Sequence, residues 1–158
     1  MIAYFDTSAL IPLLIDEPGS AMAGQLWEEA DHVVSVRLIY AEVRAALAQA
    51  HRFGRLDDDV LLEVVQDLDG LYVQLDRIEV DDALVRRAGV LAQEKALRGY
   101  DAVHLAAVER VADEQTAFVS GDDDLCHAAQ SLGIAISNTS VAANIADRHE
   151  AAGDEPTR

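Results

Sequence analysis

The sequence predicts an α/β fold with a largely parallel central sheet. Short apolar runs alternate along the chain with longer segments in which apolar residues recur every three or four positions, as in amphipathic helices. This alternation is typical of parallel strands joined by helices. Hydrophobic residues make up 51% of the 158 residues, enough to bury the core of one domain. We therefore place one domain at residues 1–146 and interpret the polar residues 147–158 as a disordered tail.

The individual elements are bounded by turn and capping residues. Ser20 follows the Pro18-Gly19 turn and is a suitable helix N-cap, while Gly54 and Gly133 stand where helices end. The predicted strands are residues 2–5, 32–36, 73–80, 116–120 and 134–136. The predicted helices are residues 8–15, 20–30, 38–52, 57–71, 82–97, 101–112 and 125–132.

The composition excludes several classes of protein. A formal net charge of −17 argues against broad, nonspecific binding to nucleic acid. The single cysteine, Cys126, excludes an intrachain disulfide and a multi-cysteine zinc site, and fits a reducing compartment. No basic region precedes the first apolar run, and the apolar run at 9–15 is too short to span a bilayer. We therefore expect a cytoplasmic protein with no membrane partner.

Three aspartates stand at junctions between predicted elements. Asp6 ends the first strand, Asp101 begins a strongly apolar helix, and Asp122 follows the strand at 116–120 through Gly121. Each of them is also explained as a helix cap or first-turn acid. In a parallel sheet, however, the carboxyl ends of the strands share one edge, and ligands bind there. The same three residues are therefore candidates for a functional site.

Glu42 is a fourth candidate because it lies on the apolar stripe of its predicted helix. The stripe runs through Ile39, Val43, Ala46 and Ala50. A buried carboxylate is costly unless it is paired, for example with an arginine, or binds a cation. Several carboxylates at one edge would also repel one another, and a hard divalent cation such as Mg²⁺ or Mn²⁺ removes that conflict.

Four segments together resemble a known family. They are "IAYFDTSALIPLL", "YAEVRAAL", "LRGYDAVHLAA" and "FVSGDDDLCHAAQSLGI", in this order along residues 1–140. This set resembles a PIN domain, and specifically the VapC-type toxins of toxin–antitoxin pairs. The resemblance implies a three-layer α/β/α sandwich, Mg²⁺- or Mn²⁺-dependent cleavage of RNA, a homodimer, and inhibition by an antitoxin that occupies the active site.

The resemblance also assigns individual residues. The four acidic positions of the family fall on Asp6, Glu42, Asp101 and Asp122, which would bind the metal and carry catalysis. Asp124 falls on a position that is acidic in some members. Ser8 and Ser120 fall where small hydroxyl residues line the pocket, and we interpret His104 as a packed histidine with a satisfied hydrogen bond rather than a substrate contact.

Other classes of protein fit less well. A haloacid-dehalogenase-type phosphatase needs an aspartate two residues after the first one, where this chain has Ser8. A receiver domain needs a lysine after a late strand, but the only lysine, Lys95, lies within a predicted helix. The remaining alternative is a catalytically silent PIN fold that only binds RNA or protein. The target RNA and the number of metal ions stay open.

Overall fold

The computed structural model describes residues 1–140, and the predicted tail at 147–158 lies outside the described residues. The strands are β1 (Ile2–Phe5), β2 (His32–Val36), β3 (Asp76–Ile78), β4 (Thr116–Ser120) and β5 (Ala135–Asn138). The helices are α1 (Thr7–Leu10), α2 (Ser20–Glu29), α3 (Ile39–Arg52), α4 (Asp58–Gln74), α5 (Asp82–Lys95), α6 (Gly99–Val111) and α7 (Asp123–Ser131). A 3₁₀ turn at Ile11–Leu13 follows α1.

All five strands pair in parallel, in the order β3-β2-β1-β4-β5. The central strand β1 alternates between two cores because successive side chains of a strand point to opposite faces. Tyr4 packs with α5, α6 and α7 on one face, while Ala3 and Phe5 pack with α1 and α2 on the other. Helices α3 and α4 build a further apolar cluster around Leu47 and Leu68. The predicted α/β fold with a parallel sheet is confirmed.

Two predicted elements differ from the structure. The strand expected at 73–80 is only Asp76–Ile78, because the apolar periodicity of α4 continues through Val64, Leu68 and Leu75 and keeps the backbone helical up to Gln74. The helix expected at 8–15 is a single turn of α-helix followed by the 3₁₀ turn. The other boundaries agree to within about two residues, as is usual for frayed helix ends.

Ser20 is not the N-cap that the sequence predicted. The N-cap of α2 is Gly19, whose φ of 101° lies in the left-handed region that favours glycine. Ser20 is the first residue of the helix, and its hydroxyl instead closes the preceding turn, accepting from the Glu17 N–H at 3.0 Å and donating to the Ile15 carbonyl. Within residues 1–140, no helix is long and apolar enough to cross a membrane.

Asp81, the N-cap of α5, forms hydrogen bonds that join α5 to α6, the helix that contains Asp101. Its carboxylate caps α5 by accepting from the Leu84 N–H at 2.8 Å and accepts two hydrogen bonds from Arg110 of α6, both at 2.9 Å. The Arg110 bonds are the main cause that lowers the pKa of Asp81 to about 2, and the bond from Leu84 adds to it.

We expect Asp81→Asn to lower the free energy of unfolding at neutral pH. The folded state favours the ionised carboxylate, so its stabilisation is present above the ordinary pKa of 3.8 and is lost as the pH falls through about 2. The difference between wild type and variant in urea unfolding should therefore shrink toward acidic pH. Asp82→Asn, which loses only the exposed ion pair with Arg86, is the matched control and should change stability little. A difference that stays constant with pH would contradict this role.

Candidate active site

Four acidic side chains surround one cavity at the carboxyl edge of the sheet. Asp6 follows β1, and Asp122 follows β4, which pairs with β1 through Phe5 and Val119. Asp101 and Glu42 come from the first turns of α6 and α3. The cavity has a volume of about 360 Å³ and is lined by Asp6, Thr7, Ser8, Ile11, Glu42, Arg98, Tyr100, Asp101, His104 and Asp122.

Asp6 is the most buried of the four acids, with 4% of its surface exposed. It caps α1 by accepting from the Ala9 N–H at 2.9 Å, and it also accepts from the hydroxyls of Ser8 at 2.8 Å and Ser120 at 2.7 Å. Burial raises the pKa of Asp6 above its ordinary value, although His104 and the two hydroxyls oppose the shift. The carboxylate is therefore a desolvated anion that a neighbouring cation would stabilise.

Ser8 and Ser120 connect Asp6 to the loop that carries Asp122. The Ser8 hydroxyl accepts from the Gly121 N–H at 2.8 Å, and the Ser120 hydroxyl accepts from the Asp122 N–H at 3.0 Å. Each hydroxyl thus accepts from this loop and donates to Asp6. The two serines tie the ends of β1 and β4 into one unit, which agrees with their predicted place beside the acids.

Asp122 also caps a helix, as the alternative interpretation of the sequence allowed. Its carboxylate accepts from the Leu125 N–H at 2.9 Å at the start of α7. The preceding Gly121 is tightly enclosed, since a Cβ there would lie 3.1 Å from the Thr139 hydroxyl and 3.5 Å from the Ser8 hydroxyl. Asp124 does not line the acid cavity. It lines a neighbouring groove, to which Asp101 and Asp122 also contribute.

Asp101 does not act as a helix cap. The N-cap of α6 is Arg98, which makes no side-chain capping bond, and the partner of Asp101 is the Arg98 side chain, with Nε 3.3 Å from Oδ2. Arg98 is 87% exposed while Asp101 is 27% exposed. An exposed pair of this kind contributes little to stability. Within residues 1–140, the side chain of Asp101 is therefore paired with one exposed arginine.

Glu42 is paired with a histidine rather than with the arginine that the sequence suggested as an alternative. Its Oε2 lies 3.0 Å from Nε2 of His104, and the Nδ1 of His104 lies 3.0 Å from the hydroxyl of Tyr4. His104 is 2% exposed, and the Tyr4 ring meets it edge-on. The interpretation of His104 as a packed histidine with satisfied hydrogen bonds is confirmed.

The direction of the His104–Glu42 hydrogen bond follows from its chemistry. An ionised Glu42 only accepts, so Nε2 of His104 carries the hydrogen that it shares. The other ring nitrogen, Nδ1, forms its hydrogen bond with the Tyr4 hydroxyl. Burial raises the pKa of Tyr4 well above its ordinary value, which keeps its hydroxyl protonated. The chain Tyr4–His104–Glu42 therefore joins β1, α6 and α3 and holds the Glu42 carboxylate at the cavity wall.

The four acids line the cavity without converging on one point. Within residues 1–140, no group of three or more His, Cys, Asp or Glu side chains is arranged to hold a metal ion. Each carboxylate instead has donors of its own: hydroxyls and Ala9 for Asp6, His104 for Glu42, Arg98 for Asp101 and Leu125 for Asp122. Hydrogen bonds to different partners therefore keep the four carboxylates apart.

Sequence reasoning missed Tyr4, Thr7, Arg98 and Tyr100 as residues of this site. Two of them carried a recognisable signal. Tyr4 lies two residues before Asp6 and so shares its face of β1, and Arg98 lies three residues before Asp101, the spacing of neighbours on a helix. The contact of Tyr4 with His104, in contrast, joins residues 100 positions apart and has no local signal.

Comparison with known proteins gives the family. The family model described as PIN domain matches residues 3–131. Two curated relatives from Mycobacterium tuberculosis, Ribonuclease VapC45 of strain CDC 1551 / Oshkosh and Ribonuclease VapC49 of strain ATCC 25618 / H37Rv, are each 42% identical over 112 residues, covering 71% of this chain and 78% of the relative. The chain belongs to the PIN-domain family and, within it, to the VapC ribonucleases. The resemblance found in the sequence is confirmed.

Solved structures share the fold. The crystal structure of PAE2754 from Pyrobaculum aerophilum superimposes with a TM-score of 0.66 at 20% identity, covering 93% of this chain and 90% of that chain. A toxin-antitoxin complex from Klebsiella pneumoniae superimposes with a TM-score of 0.57 at 19% identity, covering 76% and 86%. At these identities the likeness establishes the common architecture.

We expect His104→Ala to lower the free energy of unfolding by about 2–4 kcal/mol, because it opens a cavity and removes the hydrogen bonds of His104 to the buried Tyr4 hydroxyl and to Glu42. His127→Ala, at an exposed position on α7, is the control and should stay within about 0.5 kcal/mol of wild type. Urea unfolding followed by circular dichroism measures both. Equal stabilities of the two variants would show that the Tyr4–His104–Glu42 chain does not hold the site together.

Proposed function

We propose that the chain is a Mg²⁺- or Mn²⁺-dependent endoribonuclease that hydrolyses RNA phosphodiester bonds as the toxin of a toxin–antitoxin pair. The observation that carries the proposal is the single cavity lined by Asp6, Glu42, Asp101 and Asp122, in a member of the VapC ribonucleases. These four residues are the proposed catalytic and metal-binding set. Asp124 is a proposed auxiliary acid because it lines the adjoining groove.

The donor chemistry of the cavity fits a hard divalent cation. All four acids offer carboxylate oxygens, which Mg²⁺ and Mn²⁺ prefer, and no cysteine lines the cavity. Burial raises the pKa of Asp6, so a positive charge beside it would relieve an existing desolvation cost. The ion pair of Asp101 with Arg98 is exposed and weak, which leaves that carboxylate free to turn toward the cavity.

Several residues around the cavity would orient the carboxylates or contact the substrate. Bound among the four acids, a divalent cation would supply charge stabilisation to a phosphodiester and an activated water. Ser8 and Ser120 hold Asp6 at the end of β1 by hydrogen bonds, and His104 orients Glu42 through Nε2–H. Arg98, once released from Asp101, is a cation at the cavity mouth that suits a phosphate oxygen.

We expect Asp101→Asn to reduce Mg²⁺ affinity and RNA cleavage sharply, because an amide is a poorer ligand for a hard cation. In the absence of metal the same variant should be as stable as wild type or more stable, since it removes one charge from the repelling set. Cleavage of an RNA panel with Mn²⁺, and melting temperature with and without metal, measure both effects.

Asp82→Asn is the control for this experiment because Asp82 is an exposed acid on α5 outside the cavity, and it should cleave like wild type. Wild-type cleavage by Asp101→Asn would remove Asp101 from the catalytic set. Binding of RNA without metal-dependent cleavage by the wild-type chain would favour the catalytically silent alternative.

We propose a homodimer and an antitoxin as the protein partners. Apolar side chains on and beside α4 are exposed to solvent, among them Phe53 at 71%, Leu62 at 61% and Val73 at 78%. An exposed apolar surface of this kind is typical of an interface.

The pairing of Arg98 with Asp101 also indicates that the acid cavity accepts a guanidinium, so an antitoxin arginine could occupy it in place of metal.

We expect sedimentation of the isolated chain to give a dimer at micromolar concentration, and a small antitoxin to co-purify with it from native cells. Because an arginine and a metal ion would compete for the same carboxylates, addition of the antitoxin should suppress RNA cleavage, and excess Mn²⁺ should partly restore it. A monomer at all concentrations, together with undiminished cleavage in the presence of the antitoxin, would contradict both assignments.

A further inference from the structure

A second groove, of about 520 Å³, adjoins the acid cavity. The two share Arg98, Asp101 and Asp122. One wall of the groove is the corner between α5 and α6, where Lys95 lies in the last turn of α5. The opposite wall is a face of α7 that includes Asp124 and His127. A ligand held in the acid cavity can therefore extend into this groove without leaving the protein surface.

The charge of the groove changes with distance from the cavity. On the α7 wall, Asp122 and Asp124 come first, and His127 and Ser131 follow one and two turns further along the helix. From Asp124 to Ser131 the wall extends about 10 Å, at the helical rise of 1.5 Å per residue. The outer part therefore has Lys95 on one side and His127 on the other, with His127 one helical turn beyond Asp124.

Lys95 and His127 are the two side chains of the outer groove that can contact an anion, Lys95 as a cation and His127 through a ring N–H. Within residues 1–140, neither of them forms a salt bridge, whereas Arg86 and Arg87 on the same helix as Lys95 are each bonded to a carboxylate. Lys95 is also the only lysine of a chain whose formal net charge is −17. The positive charge of Lys95, beside a strongly acidic cavity, would offset part of the repulsion that a polyanion meets there.

We propose that this groove, defined by Lys95, Arg98 and His127, binds the RNA strand next to the bond that is cleaved. Lys95 and His127 contact backbone phosphates, and Arg98 lies between them and the acid cavity. The inference rests on the proposed ribonuclease function. An RNA strand fits better than an acidic protein segment because the groove is continuous with the cavity that would hold the cleaved phosphodiester, and a strand must continue beyond that bond.

Contacts of this kind have a specific kinetic signature. They are made equally in the ground state and the transition state, so their loss raises KM and leaves kcat unchanged. Each phosphate contact also contributes about 0.7 to the slope of log affinity against log salt for a single strand. Loss of an acid that binds metal would instead lower kcat.

The test uses Lys95→Ala and His127→Ala in the full chain, with a mixed-sequence single-stranded RNA oligonucleotide as the probe. Arg86→Ala is the matched control for Lys95→Ala, because it removes one positive charge from the same helix at an exposed site outside the groove. We expect KM for metal-dependent cleavage to rise at least threefold in each groove variant, with kcat unchanged, and the salt dependence to become shallower in Lys95→Ala. The control should match wild type apart from a small general charge effect.

Fluorescence anisotropy of the same oligonucleotide in Ca²⁺ buffer measures binding without cleavage and separates the possible failures. Unchanged KM, affinity and salt slope in both groove variants would overturn the groove assignment and leave the ribonuclease proposal intact. Absence of cleavage by wild type, with RNA affinity still reduced by Lys95→Ala, would overturn the ribonuclease proposal and keep the groove as an RNA site. Weaker antitoxin binding with unchanged RNA affinity would overturn the RNA assignment in favour of a protein partner.

Discussion

The buried carboxylate of Asp6, at the end of the central strand, is the constraint on which the site depends. Its desolvation is tolerated because the Ala9 N–H and the hydroxyls of Ser8 and Ser120 all donate to it. The same hydroxyls accept from the backbone that leads into α7. One buried anion thereby sets the spacing of β1, α1 and the β4–α7 loop, and fixes where Asp122 stands.

The side chains of Glu42 and Asp101 are held less firmly than that of Asp6, and Asp101 is held less firmly than Glu42. Glu42 is held by the buried His104, whose second nitrogen is satisfied by Tyr4, so its position is coupled to the core. Among the residues that the structure describes, Asp101 has one side-chain partner, the exposed Arg98. This gradient from a firmly held Asp6 to a loosely held Asp101 fits the proposed binding of a cation, because rearranging the outermost acid costs the least.

The four acids could be located from the sequence because a charged carboxylate stands out among apolar neighbours. An aspartate after an apolar strand and a glutamate on an apolar stripe each stand out without knowledge of the fold, and all four predicted acids line one cavity. The same reasoning was wrong about residues 73–74, which belong to α4, since an apolar run is compatible with both a strand and the end of a helix. Packing of Leu68 and Leu75 against α3 decided for the helix.

The sequence by itself determined the parallel α/β architecture, the family and the residues most worth attention, because periodicity, turns and misplaced charges are local properties. Only the tertiary structure decided which groups meet: that Glu42 pairs with His104 instead of an arginine, that Tyr4 supports this pair, and that Lys95 and His127 face one groove. These contacts join residues far apart in the chain. Their partners are chosen by how the helices pack on the sheet, a property of the whole core that no local segment encodes.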